Sequence, residues 1–239
     1  MTHADGSSVD TPLRGRSTRD RPAKAPLSVD AVVDAALAIL KSDGLDAVTM
    51  RRVAAALDTG AASLYVYVAG REGLQLAMLD RVTAEVALEV PDPSRWRDQL
   101  HGLLSRMHTT LIAYPGIAAM TLAYPPMTDA VLLVTENLLG ILLAGGIEPQ
   151  DAAWACDLLV LLVTGVASED DVRHVRGETK EDHREQIDEL EKTFSGMASD
   201  RFPLLVAHAA QMVAGDSDER FRFAVDVIID GVLARAARR

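Results

Sequence analysis

Apolar residues in this chain recur at spacings of three and four and nowhere alternate, and that periodicity decides the fold class. From Ser28 onward, Val29, Val32, Val33, Ala36, Leu37 and Leu40 fall on one side of a helix. Gly44 stops it, as the residue that most readily takes the left-handed conformation past a helix end. Thr49 is the expected N-cap of a second short helix striped by Met50, Val53, Ala54 and Leu57. The chain then turns through Asp58, Thr59 and Gly60 into a third short helix, held inward by Ala61, Leu64 and Val68. With no strand signal and no internal repeat, the expected class is all-α.

Helix breakers divide the remainder. Pro91 and Pro93 are expected to end a fourth helix that begins near Arg71, and Ser94 to cap a fifth that runs to about Ala113. Pro115, Gly116, Pro125 and Pro126 isolate a short sixth helix, and residues 128–144 read as a seventh closed by Gly145 and Gly146. Pro149 suits the first turn of an eighth helix, apolar nearly all round. Residues 168–191 hold ten acidic against four basic side chains and are expected to be a solvated loop merging into a polar helix. A last helix, about 217–236, carries Phe221, Ala224, Val225, Ile228, Val232 and Leu233 as a stripe.

This punctuation gives three regions: a flexible arm over 1–26, a head over 27–72, and a larger helical body over 73–239. The arm carries Arg14, Arg16, Arg19, Arg21 and Lys24, a set suited to duplex phosphates or a minor groove. The strongly apolar run Leu158–Val166 is far shorter than the roughly 20 residues of a bilayer span, so no membrane partner is expected. A single cysteine, Cys156, excludes an internal disulfide and suits a reducing cytoplasm.

Residues 49–71, TMRRVAAALDTGAASLYVYVAGR, have the pattern of a helix-turn-helix: a helix packed by its inner face, a tight turn, and a second helix whose outer face is free to enter a major groove. Counting 100° per residue from Leu64 puts Ala61 and Val68 inward, Ala62, Ser63 and Val66 outward, and Tyr65 and Tyr67 on the flanks. The outer surface is small and nearly uncharged. Tyr65, Tyr67 and Thr59 are placed for phosphate contacts, the helix starts near Thr49 and Gly60 offer unsatisfied N–H groups, and Arg51 and Arg71 add charge.

The head resembles that of the tetracycline-repressor (TetR) family of bacterial one-component regulators. The resemblance is carried by Ala35-Ala36-Leu37, Gly44-Leu45, Thr49-Met50-Arg51-Arg52-Val53-Ala54, Gly60 through Val68, and Arg71-Glu72-Gly73-Leu74. Two positions depart from the family pattern: Tyr67 stands where histidine is usual, and Asp58 replaces the usual turn glycine. The resemblance implies a ligand-sensing, dimerising body whose last long helices pair with those of a second copy. Leu158, Leu161 and Leu162 on the eighth helix, with Phe221, Val225, Ile228 and Val232 on the last, are the candidates for that interface. It also implies an effector pocket among the fourth to eighth helices. Trp96, His101, Met107, His108, Tyr114, Met120, Tyr124, Met127 and Trp154 are candidate walls with occasional polar tips.

The net charge of −11 fits this division, because residues 1–81 hold ten basic and ten acidic side chains and the whole deficit lies beyond them. His101 and His108, two helical turns apart, lack the carboxylate or cysteine partners of a metal site, and no metal or cofactor is expected. Glycine-rich phosphate loops, a G-x-S-x-G elbow and an H-E-x-x-H pair are absent, so the chain reads as a non-enzyme. The expected partners are a palindromic double-stranded operator, a second copy of the chain and a small lipophilic effector. A helical interaction or ligand-carrier protein without DNA binding is the alternative.

Overall fold

A computed structural model describes residues 26–123, 127–236 and 238, and these form helices without a strand. The sequence reading of Arg14, Arg16, Arg19, Arg21 and Lys24, and of Tyr124, falls outside the described residues.

The head is built from α1 (Val29–Asp43), a 3-10 turn (Leu45–Ala47), α2 (Met50–Ala56) and α3 (Ala61–Leu64), followed by α4 (Gly70–Thr83). Ser28 Oγ accepts from the Ala31 amide at 3.1 Å, and Val32, Val33, Ala36, Leu37, Ile39 and Leu40 make the buried stripe of α1. Helix α4 packs across α1, where Arg81 binds Asp34 at 2.8 Å and also Asp30. Residue 72, the expected end of the head, lies in the first turn of α4, so one helix serves both regions.

The body consists of α5 (Trp96–Ile112), α6 (Ile117–Ala123), α7 (Asp129–Ala144), α8 (Pro149–Val175) and the terminal α12 (Ser217–Ala236). Helix α8 is central and packs against α5, α6, α7 and α12. Its span Pro149–Arg173 is long and apolar enough to cross a bilayer by length and composition, more than the run Leu158–Val166 suggests. It is a core helix: Ala152, Ala155, Leu159, Val163 and Ala167 are fully buried in the bundle. Between α8 and α12 lie α9 (Lys180–Ser195), α10 (Pro203–Ala207) and α11 (Ala209–Val213), which pack mainly on one another.

The structure corrects three sequence expectations here. Helix α4 ends at Thr83, well short of Pro91, because a proline bars a helix from running on through it without requiring that one reach it. Ser94 does not cap α5; its amide and hydroxyl both donate to Asp92 Oδ1, at 2.8 and 2.7 Å, and hold the Asp92 carboxyl below the usual carboxylate range. Residues 168–175 are helical and not loop, since Asp170 and Asp171 find tertiary partners.

The segment between α4 and α5 is strapped to the body. Gln99 is buried, accepts from the Asp92 amide at 2.7 Å and donates to Val90 O at 2.8 Å. Arg106 Nε donates to Ala87 O at 2.8 Å, and Asn137 Nδ2 donates to Glu89 O at 2.7 Å. At the far end of α7 the Trp96 ring lies over Gly145, where an added Cβ would sit 2.4 Å from the indole.

Candidate nucleic-acid interface

Thr49 caps α2 as its sequence position implies: Thr49 Oγ1 accepts from the Arg52 amide at 3.2 Å. Val53 and Ala54 bury the inner face of α2, leaving Arg51 and Arg52 exposed. The two arginines differ in availability, because Arg52 is already bound to Asp43 at 2.6 Å.

The turn after α2 closes as a Schellman motif. The Thr59 amide donates to Ala54 O at 2.9 Å and the Asp58 amide to Ala55 O at 3.0 Å, with Asp58 at φ +50 in the left-handed region. Aspartate tolerates that region better than most residues, so the turn survives without glycine.

Helix α3 has four formal residues, and its backbone continues helically as the amides of Tyr67 and Val68 both donate to Leu64 O, at 2.9 and 3.0 Å. Leu64 and Val68 are buried and Ala61 is half-buried against the core, while Ala62 and Ser63 are exposed and Val66 is 83% exposed. Tyr65 is 61% exposed on one flank and Tyr67, on the other, is half-buried against the core. Thr59 is half-buried, and Gly60 and Arg71 are exposed. Of the residues read from sequence as a groove-facing set, Arg51, Gly60, Ala62, Ser63, Tyr65, Val66 and Arg71 are thus exposed. Helices of seven and four residues have little dipole to offer an anion, so the side chains carry the chemistry of this face.

The head meets the body at the end of α1 and the 3-10 turn that follows it. Lys41 Nζ lies 3.9 Å over the Tyr114 ring, whose hydroxyl donates to Glu85. That hydrogen bond, with burial and the Glu85 charge, pushes the Tyr114 pKa up to about 12. Gly116, at φ +95, lies against Leu45 of the head, and an added Cβ would approach Leu45 Cβ to 3.0 Å. Its amide donates to Asp171 of α8 at 2.8 Å.

The candidate effector residues do not gather around one cavity. Tyr114 and Met120 are buried, Trp96 and Met107 pack on the core, and His101 and His108 pair with Asp226 (2.9 Å) and Asp170 (2.8 Å). Met127 and Trp154 lie on the outside, and the Arg235 guanidinium stands 5.8 Å from the Trp154 ring. A hollow of about 560 Å³ opens instead on the outer side of α7, lined by Asp129, Leu132, Leu133, Thr135, Glu136 and Leu139. Sequence reading missed these residues. Their signal was an apolar content in 128–144 too high for one buried face. No group of three or more His, Cys, Asp or Glu among the described residues is arranged to hold a metal.

The interface candidates divide in the same way. Leu158 and Leu161 are exposed, but Val225 and Val232 are buried in this chain's own core, and Leu162, Phe221 and Ile228 pack partly against it. The outer apolar face of α12 is instead Phe223 and Val227, and with Trp154, Leu158 and Leu161 it makes an exposed stripe on α8 and α12. A helix with two apolar stripes does not reveal in sequence which one stays inside.

Residues 32–78 match the family described as bacterial regulatory proteins, tetR family, and residues 90–236 match the tetracyclin repressor-like C-terminal domain. The HTH-type transcriptional repressor DrrR1 of Streptomyces coeruleorubidus is 29% identical over 232 residues, covering 93% of this chain and 84% of that protein. Apo ActR from Streptomyces coelicolor superposes with a TM-score of 0.80 at 33% identity, over 90% of this chain and 99% of that one. ActR in complex with actinorhodin gives a TM-score of 0.80 at 34% identity, over 88% and 97%.

Proposed function

Starting from the fact that this chain belongs to the TetR family of bacterial regulatory proteins, a family of ligand-responsive DNA-binding regulators, we propose that it is a cytoplasmic repressor released from a palindromic operator by a small lipophilic effector. The observation that carries the DNA contact is the face of α3: Ala62, Ser63, Tyr65 and Val66 stand exposed on a helix anchored beneath by Leu64 and Val68. Thr49, Thr59, Gly60, Tyr67, Arg51 and Arg71 surround that face and supply phosphate contacts. A helical carrier protein has no use for such a face.

Reading an operator with one short helix requires two copies, spaced so that the helices meet successive major grooves about 34 Å apart. The exposed stripe of Trp154, Leu158, Leu161, Phe223 and Val227 supports pairing through α8 and α12 as a four-helix interface. The effector site belongs to the body, 73–239. ActR was solved with actinorhodin, which supports a small effector here. Effector binding displaces α4 relative to the body and moves the two heads off the groove spacing. DNA and effector then oppose each other by equal coupling in both directions.

Selection from randomised duplexes, followed by footprinting with and without lipophilic compounds, tests this reading. The expected result is a two-fold symmetric site whose affinity falls steeply with salt. Absence of any sequence preference at low ionic strength would end it.

A further inference from the structure

From Thr59 to Gly70 the chain contains no Asn, Gln, Arg, Lys, His, Asp or Glu. The side chains that read guanine and adenine by paired hydrogen bonds are therefore missing from α3 and both its flanks. Of the exposed arginines nearest α3 in the chain, Arg52 is engaged with Asp43 at 2.6 Å, and Arg51 and Arg71 are assigned to phosphates above. What α3 offers a groove is a branched apolar side chain, Val66, with a methyl group, Ala62, one turn before it on the same side. Val66 is 83% exposed although the residues on either side of its turn, Leu64 and Val68, are buried. The exposed polar side chains of this helix are hydroxyls: Ser63, three residues before Val66 on the same side, and Tyr65 on the flank. A solvent-exposed valine on a helix whose other exposed polar groups are hydroxyls fits a partner that is apolar at one point and polar elsewhere.

In the major groove that point is the C5-methyl of thymine, the one apolar group among the base edges. We infer that Val66 is a specificity-determining residue that covers a thymine methyl in each operator half-site, with Ala62 bounding the same contact, and that base discrimination by α3 rests on this methyl and not on paired hydrogen bonds. The inference rests on the DNA-binding reading above and narrows it to a class of sequence: half-sites that carry thymine, on either strand, under the middle of the recognition helix. The hydroxyls hold register on phosphates and contribute affinity without choosing a base.

The test uses the full chain and the best duplex recovered by selection, with each thymine replaced in turn by uracil, which removes only the methyl. Losing one buried methyl contact weakens binding about fourfold per half-site, and about fifteenfold when both symmetric positions are changed. The Val66→Ala protein is expected to bind the unmodified duplex more weakly, to melt at the parent temperature because the side chain lies outside the core, and to be insensitive to uracil at that position. Its salt dependence should stay that of the parent, since no phosphate contact is removed. If every uracil duplex binds the parent as tightly as the thymine duplex does, the methyl contact is disproved while DNA binding stands. If Val66→Ala keeps the full uracil penalty, a different residue reads the methyl and the assignment to Val66 fails. If no duplex is bound at all, the DNA-binding reading falls together with it.

Discussion

Two exposed apolar surfaces, the outer face of α3 and the stripe on α8 and α12, look alike by exposure and differ in everything around it. The first is a single valine and an alanine on a helix that also exposes Ser63 and Tyr65. The second lines up Trp154, Leu158 and Leu161 at helical spacing beside Phe223 and Val227, with no hydroxyl between them. A surface whose apolar point is accompanied by hydrogen-bonding groups suits a wet, charged partner, whereas a continuous aliphatic and aromatic stripe suits another protein. Exposure alone does not classify a surface; the chemistry at its edge does.

The sharpest way to break this comparison is to charge the stripe. Leu158→Glu combined with Leu161→Glu should weaken self-association more than about 100-fold, since each buried leucine contributes roughly 1.5–3 kcal/mol. Sedimentation across a concentration series would show it, and a head that still folds would separate the two surfaces. Next in size, Tyr65→Ala should cost about tenfold in operator affinity by removing one charge-assisted hydrogen bond, with the sedimentation profile unchanged. A gel-shift titration showing full affinity would remove Tyr65 from the DNA contact. Thr49→Ala should destabilise the head by about 1 kcal/mol through loss of the α2 cap, read by denaturant unfolding.

The smallest effect is confined to alkaline pH, at the junction of head and body. The Tyr114 hydroxyl ordinarily ionises near 10 and is pushed up to about 12 here, first by its hydrogen bond to Glu85. A raised folded-state value means the added stability is fully present below pH 10 and is lost as pH rises through about 12. Tyr114→Phe should remove that part of the alkaline loss in thermal melts.

Much of the head was legible because its signals are local. Ser28, Thr49 and Gly44 act on amides within a turn of themselves, and the left-handed Asp58 follows from what its side chain tolerates. The family resemblance, carried by the same residues, is likewise confirmed. The end of α7, the start of α8 and the span of α12 were legible for a similar reason, through Gly145, Gly146 and Pro149 and the stripe that closes the chain. What sequence could not yield depends on distant partners. Asp170 and Asp171 read as solvated charges until His108 and the Gly116 amide are found beside them. The inner and outer stripes of α12 are equivalent in sequence, and only packing on α8 chooses Val225 over Val227. The helices α10 and α11, of five residues each, are too short for periodicity to announce.

The strap formed by Gln99, Arg106 and Asn137 fixes the point at which α4 leaves the body. Helix α4 has 14 residues, so it is a rod of about 21 Å that carries the head along its length and is anchored to the body at its C-terminal end. A tilt of about 10° at the anchored end sweeps the far end through roughly 4 Å, and two copies double the error. If effector binding tilts α4 as proposed, the anchored end leaves no slack to absorb the tilt, and the two recognition helices depart from the groove spacing of a rigid duplex.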